Sequence, residues 1–171
     1  MWTSSALLAR GKVHLPRGNV GRVLRFADGS TARVYRETTV DRSPPTEPCV
    51  LIVAFKLHLL RGRRMHRLFE AESLLNTPLF VGFPGYVSKL WCTHDRSGVY
   101  RGLYEWDGPQ QARDYAAALW RVLELGSVAG SIRYQVLPGL HRDDVLVDPN
   151  LMTTTTTTTS DDTWWRLVSV T

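Results

Sequence analysis

Apolar and polar positions change period several times along this chain, and each change predicts an element. Val20–Phe26 and Thr31–Val40 alternate with a period of two, as half-buried strands do. Ala27-Asp28-Gly29-Ser30 between them has turn chemistry, so the spacing predicts a β-hairpin. Residues 1–18 show no such period and are expected to lack regular structure. Asp41–Pro48 carries three prolines, which exclude regular structure and predict a linker. Val50–Leu60 is a continuous apolar, β-rich run, the pattern of a central strand. From Arg64 to Thr77 the period becomes helical, and Pro78 ends it.

Phe83-Pro84-Gly85 predicts a turn, Tyr86–Thr93 a strand, His94–Gly98 a hairpin loop and Val99–Trp106 the returning strand. Asp107-Gly108-Pro109 is a helix start, with a capping aspartate or glycine followed by a first-turn proline. Ala112, Tyr115, Ala116, Leu119, Val122 and Leu123 then form one apolar stripe, and Gly126 stops the helix. Ser131–Leu137 is the last strand, closed by Pro138-Gly139. The order strand, helix, strand, strand, helix, strand predicts an α+β, ferredoxin-like βαββαβ module over residues 49–139. Such a sheet places the first strand centrally and the second at an edge. Residues 1–48 are then an N-terminal extension with a β-hairpin, and residues 140–171 a C-terminal tail. Within the tail, Thr153–Thr159 is a seven-residue threonine run of linker character. Trp164-Trp165-Arg166-Leu167-Val168 is too apolar to stay in water and is expected to dock on the body or on a partner subunit.

Composition changes this picture little. The net charge of +5 comes almost wholly from arginine, because Lys12, Lys56 and Lys89 are the three lysines. The densest basic run, Arg61, Arg63, Arg64, His66 and Arg67, has no interleaved aromatics for base stacking, so nucleic acid is not an expected partner. Cys49 and Cys92 form no CxxC or Cys/His cluster and are not expected to be bridged, and His14, His58, His66, His94 and His141 have no metal-ligand spacing. No metal or other cofactor is expected. There is no apolar run long enough to span a membrane, and the patch at Ala6–Ala9 lacks the basic leader of a signal peptide. The expected location is the cytoplasm.

Candidate chemistry lies first in the 64–77 helix. Met65, Leu68, Phe69, Leu75 and Leu79 share one face, and Glu72 and Asn76 fall near its middle. A carboxylate and an amide facing a sheet are costly to bury unless they meet partners or a polar ligand. They either line a pocket or join a structural ion pair. Lys89 and Trp91, with Val87, share one side of their strand, and a buried lysine can lose enough basicity for acid–base work. On the next strand Tyr100, Gly102, Tyr104 and Trp106 alternate against Val99, Arg101, Leu103 and Glu105, with a gap at Gly102 where a ligand or another backbone can approach. Tyr134 on the last strand is a similar aromatic. Glu72, Lys89 and Tyr104 are the catalytic candidates, and Asn76, Trp91, Trp106 and Tyr134 the substrate-binding ones.

Gly85-Tyr86-Val87-Ser88-Lys89-Leu90-Trp91, Arg101-Gly102-Leu103-Tyr104-Glu105-Trp106, and then Ala112 with Tyr115, resemble the YdhR-like monooxygenases over residues 50–138. The resemblance implies a homodimeric α/β barrel in which two sheets face each other. It also implies a ligand held between sheet and helices, with Lys89 and Trp91 at positions of the family pattern. The N-terminal hairpin, the long tail and the segment Leu74–Phe80 depart from that pattern. The expected function is a cofactor-independent monooxygenase-like enzyme of secondary metabolism, acting on a hydrophobic small molecule. A polyketide-type cyclase or isomerase on the same fold, with Tyr104 donating a proton, is the nearest alternative. A non-catalytic dimeric binding or assembly module, using Trp164 and Trp165 to dock a partner, is the other.

Overall fold

In the computed structural model, residues 12–58, 82–154 and 163–171 are described. They build one curled, antiparallel sheet of eight strands with few helices, an α+β half-barrel. The strands are β1 (Val13–His14), β2 (Val23–Phe26), β3 (Thr31–Val40), β4 (Pro48–Lys56), β5 (Tyr86–Cys92), β6 (Val99–Asp107), β7 (Arg133–Pro138) and β8 (Leu167–Val170). The helices are α1 (Pro109–Leu123), α2 (Arg142–Val147) and α3 (Leu151–Thr154). The order across the sheet is β7-β4-β6-β5-β3-β2-β8, with β1 added on β3.

β4 is central because it can be nothing else. Cys49 to Val53 are at most 2% exposed, so both faces of the strand are dry. Its ladder with β6 runs without a bulge from Pro48 opposite Asp107 to Lys56 opposite Val99. β7 takes its other edge. The 49–139 segment thus has its four strands in the order fourth, first, third, second. The helix expected over Arg64–Thr77 lies outside the described residues.

The second strand of that segment, β5, is not at an edge as expected. β3 pairs with it from Val34 opposite Cys92 to Thr39 opposite Ser88, so the N-terminal hairpin extends the sheet. A strand edge with unpaired amides is an aggregation hazard, and β3 covers this one. Residues before the hairpin are not all irregular either: Val13 and His14 pair with Val40 and Thr39. Pairing partners distant in sequence decide such a short strand, which local periodicity does not reveal.

The sheet has two apolar faces. On one, Cys49, Leu51, Val53, Tyr86, Tyr104 and Trp106 pack against Ala112, Tyr115, Ala116 and Leu119 of α1. Val122, expected in this stripe, is 65% exposed, whereas its neighbour Leu123 packs against the cluster. Pro109 starts α1, but no side chain caps it. Asp107 instead accepts hydrogen bonds from the backbone N–H groups of Thr46 (2.9 Å) and Glu47 (3.0 Å), which tie the proline linker to the end of β6.

On the other face, Val50, Ile52, Leu90, Cys92 and Leu103 pack against Val145, Leu146 and Met152 of α2 and α3, and against Trp164 and Trp165. The apolar C-terminal segment therefore docks on the body, and β8 pairs with β2 from Leu24 opposite Val170 to Phe26 opposite Leu167. Both cysteines are buried and free. Burial pushes each thiol up to about 12.

Candidate functional site

The α1 face of the sheet carries a row of aromatic and cationic side chains across β3, β5 and β6. Strand alternation puts Lys89 and Trp91 of β5 on this face, and their register partners across β6 are Tyr104 and Gly102. Across β3 the partners are Thr38 and Arg36. An irregularity between Tyr86 and Ser88 brings Tyr86, rather than the expected Val87, into the same core.

Lys89 is at the centre. It is 6% exposed, and its Nζ lies 3.1 Å from the centroid of the Trp91 ring and 4.7 Å from that of Tyr104. A cation over an aromatic face is favourable, yet a ring replaces little of an ammonium's hydration. Burial holds the Lys89 amine well below the usual lysine range, and the Arg36 charge adds to the shift. Arg36 shares the same ring, with Cζ 3.9 Å from the Trp91 centroid. The Trp91 indole is fixed by donation from Nε1 to Thr38 Oγ1 at 3.0 Å.

Tyr104 and Tyr115 continue the row. The Tyr115 hydroxyl donates to the Tyr104 oxygen at 3.3 Å, with both residues at most 2% exposed. Burial raises the pKa of both, so both hold their protons. Trp106 follows, 4.8 Å from the Tyr115 ring and edge-on to Tyr86 at 5.5 Å. Its Nε1 is buried and has no hydrogen-bond partner among the described residues. An orphaned buried donor costs about 1–3 kcal/mol, which a ligand acceptor would recover.

Gly102 shapes this row. A Cβ there would lie 2.8 Å from Cε2 of Tyr104, so the missing side chain is the space into which the Tyr104 ring leans. Beside Arg36 a cleft of about 340 Å³ opens to solvent between residues 15–20 and Tyr35, Arg36 and Glu37.

The structure brings Lys89, Trp91, Tyr104 and Trp106 into one continuous row. Tyr134 is not part of it. It is 39% exposed at the β7 edge, where its ring meets Trp120 at 6.2 Å. Glu72 and Asn76 lie outside the described residues. Arg36, Thr38 and Tyr115 complete the row but are not among the sequence candidates. Tyr115 is legible there as part of the helix stripe and of the family-like pattern, with no site role given to it. Arg36 and Thr38 reach the site because β3 pairs with β5, a contact that no local pattern signals.

A separate polar group sits under α2 on the opposite face. Arg142 Nη2 donates to Glu37 Oε1 at 2.6 Å, with both side chains 4% exposed. Asn19 Nδ2 donates to the same carboxylate, and His141 Nδ1 lies 2.8 Å from Glu105 Oε1. These contacts fasten the tail to the sheet.

No family model matches the chain. No curated protein matches it either. Among solved structures, one described as "Crystal structure study of anthrone oxidase-like protein" is similar at 15% identity and a TM-score of 0.43. That match covers 66% of this chain and 55% of the other, so the chain matches little more than half of that protein's length.

Proposed function

We propose that the chain is an enzyme acting on a hydrophobic small molecule, with Lys89 as the proton-accepting base. The observation that carries this reading is the burial of the Lys89 amine against Trp91 and Tyr104 beside the Arg36 charge. Burial and the Arg36 charge lower the basicity of this lysine, and strongly perturbed groups of this kind gather at functional sites. The aromatic row offers an apolar body for a ring-bearing substrate. The Trp106 Nε1 donor, and a Tyr104 hydroxyl that keeps its proton, offer hydrogen bonds to a developing oxyanion.

The reaction we favour is cofactor-independent oxygenation of an electron-rich phenol or enol, as the family resemblance also suggests. The base removes the phenolic or enolic proton, and the substrate itself supplies the electrons. Dioxygen gives one oxygen atom to the product and leaves with the other as water, so 1-naphthol and dioxygen would give a naphthoquinone and water. The sheet order of the 49–139 segment supports the ferredoxin-like reading of the fold, which holds the row between sheet and helices.

Oxygen uptake with 1-naphthol and related polycyclic phenols tests the proposal. Lys89→Met should lower the rate by about 100-fold or more while the far-ultraviolet circular dichroism stays unchanged, the usual range for loss of a positioned base. Uptake equal in wild type and Lys89→Met would remove the base role.

A further inference from the structure

A cleft of about 270 Å³ opens where β4 ends and the loop between β5 and β6 turns. Lys56, His94, Arg96 and Tyr100 line it, and none of its described lining residues carries a carboxylate. Lys56 and Arg96 are exposed and make no ion pair among the described residues. The carboxylate of the loop, Asp95, is engaged elsewhere. Its Oδ2 accepts from Arg101 Nη1 at 2.9 Å, and its Oδ1 accepts from the backbone N–H groups of Ser97 (2.8 Å) and Val99 (3.0 Å). These bonds hold the loop that carries Arg96. Gly98 completes it at a φ of 83°, with its N–H donating to the Asp95 carbonyl at 3.0 Å. The opposite wall is fixed as well. Val128 N–H donates to the Lys56 carbonyl at 2.7 Å, and Lys56 Cε lies 3.6 Å from where a Cβ on Gly98 would stand. The lysine stem therefore rests against the loop that carries Arg96. Between the cations the wall is apolar. The Tyr100 ring stacks on Phe55 at 5.7 Å and meets the His94 ring edge-on at 5.5 Å. His94 Nδ1 donates to the Asp95 carbonyl at 2.9 Å, which sets the plane of that ring.

A cleft walled by charges of one sign concentrates ions of the other. We propose that this cleft binds the dianionic phosphate of a small phosphate monoester whose organic part is aromatic or otherwise apolar. Lys56 and Arg96 carry one positive charge each and together match one dianion. A guanidinium meets two phosphate oxygens with parallel N–H donors, and an ammonium meets a third as a point charge. The volume lies just below the range of about 300–1,000 Å³ usual for small-molecule pockets, which leaves room for one ring beside the phosphate. Tyr100, His94 and Leu57 offer the wall for that ring. The cations form one compact cleft rather than a track, so a single phosphate fits it better than a polynucleotide backbone does. The cleft stands apart from the aromatic row. Tyr100 precedes Tyr104 by four residues, about 13 Å along β6, and Lys89 does not line it.

Phenyl phosphate titrated into the isotope-labelled full chain at low salt, with backbone amide shifts followed by nuclear magnetic resonance, tests the proposal. The Ser97 and Gly98 amides should shift and saturate. Phenyl phosphate should bind at least about threefold tighter than inorganic phosphate, because its ring gains an apolar wall. Arg96→Gln and Lys56→Gln should each weaken binding about fivefold or more, and so should about 1 M sodium chloride. Both side chains are exposed, so urea midpoints should not move. Arg121→Gln removes the same charge from an exposed site on α1 and should leave the affinity unchanged. Shifts absent from the loop, or an equal loss in Arg121→Gln, overturn the proposal. Inorganic phosphate binding as tightly as phenyl phosphate overturns the monoester assignment. A short oligothymidylate that displaces phenyl phosphate at lower concentration overturns it in favour of nucleic acid.

Discussion

At the scale of single residues, Lys89 has the most distinctive environment in the described chain. In the unfolded chain its amine keeps its proton up to the ordinary value near 10.5, whereas in the folded protein burial releases that proton at a lower pH. Between these two values the unfolded state binds more protons, so stability must rise with pH across that window. Lys89→Met removes the linkage. The variant should be more stable than wild type to urea at neutral pH. Its advantage should narrow as the pH rises through the window and close above the ordinary lysine value. Equal urea midpoints at neutral pH would mean that the folded protein accommodates Lys89 charged. A site residue that lowers stability is expected where a group is held in a state its function needs. Gly102 shows a related cost, since an unsubstituted backbone in a strand gives up side-chain packing to make room for Tyr104.

At the scale of elements, the sequence reveals most of what the chain does locally. The hairpin of β2 and β3, the proline linker, the four strands from β4 to β7 and helix α1 all follow from period, turn residues and proline or glycine stops. Their boundaries fall within a few residues of expectation. Lys89 with Trp91, and Tyr104 with Trp106, are each legible as a same-side set, because alternation along a strand fixes which side chains share a face; the register between β5 and β6 joins the two sets. What was not legible is pairing at long range. β1 is two residues long, and α2 and α3 are short helices in a segment with no clear period. Arg142, at the start of α2, is held by Glu37 on β3 as well as by its neighbour Asp143. Its pair with Glu37 shows how such an element is fixed. Among the described residues, Arg142→Leu leaves the buried Glu37 carboxylate with Asn19 as its side-chain partner, and should cost about 3 kcal/mol in urea unfolding. The double variant Glu37→Leu, Arg142→Leu should recover most of that loss, because a buried ion pair replaced by apolar groups is often neutral. A double variant no more stable than Arg142→Leu alone would assign the pair a net stabilising role.

At the scale of the whole molecule, the two sheet faces have different owners. One belongs to α1 and the aromatic row. The other is covered by the chain's own tail, where Trp164 is 4% and Trp165 1% exposed, and the Arg133 guanidinium lies 5.2 Å from the Trp164 ring. A face-to-face dimer of the kind the family resemblance implies would need this second face. Here α2, α3 and the Trp164–Val170 segment already occupy it, and β8 closes the free edge of β2. On this face Leu24, Phe26, Val34 and Leu103 are buried together with Trp164, Trp165 and Leu167 of the tail. Removing residues 163–171 would uncover those side chains together with the backbone amides of β2, a combination that drives self-association. The truncated chain should associate in a concentration-dependent way in sedimentation velocity, while the full chain shows no association through this face. Separately, Trp165→Ala in the full chain should cost about 3–5 kcal/mol, the usual loss for a buried tryptophan. If instead the full chain sediments as a dimer and truncation yields monomers, the tail is the dimer contact, and its packing on the sheet is shared between subunits rather than completed within one.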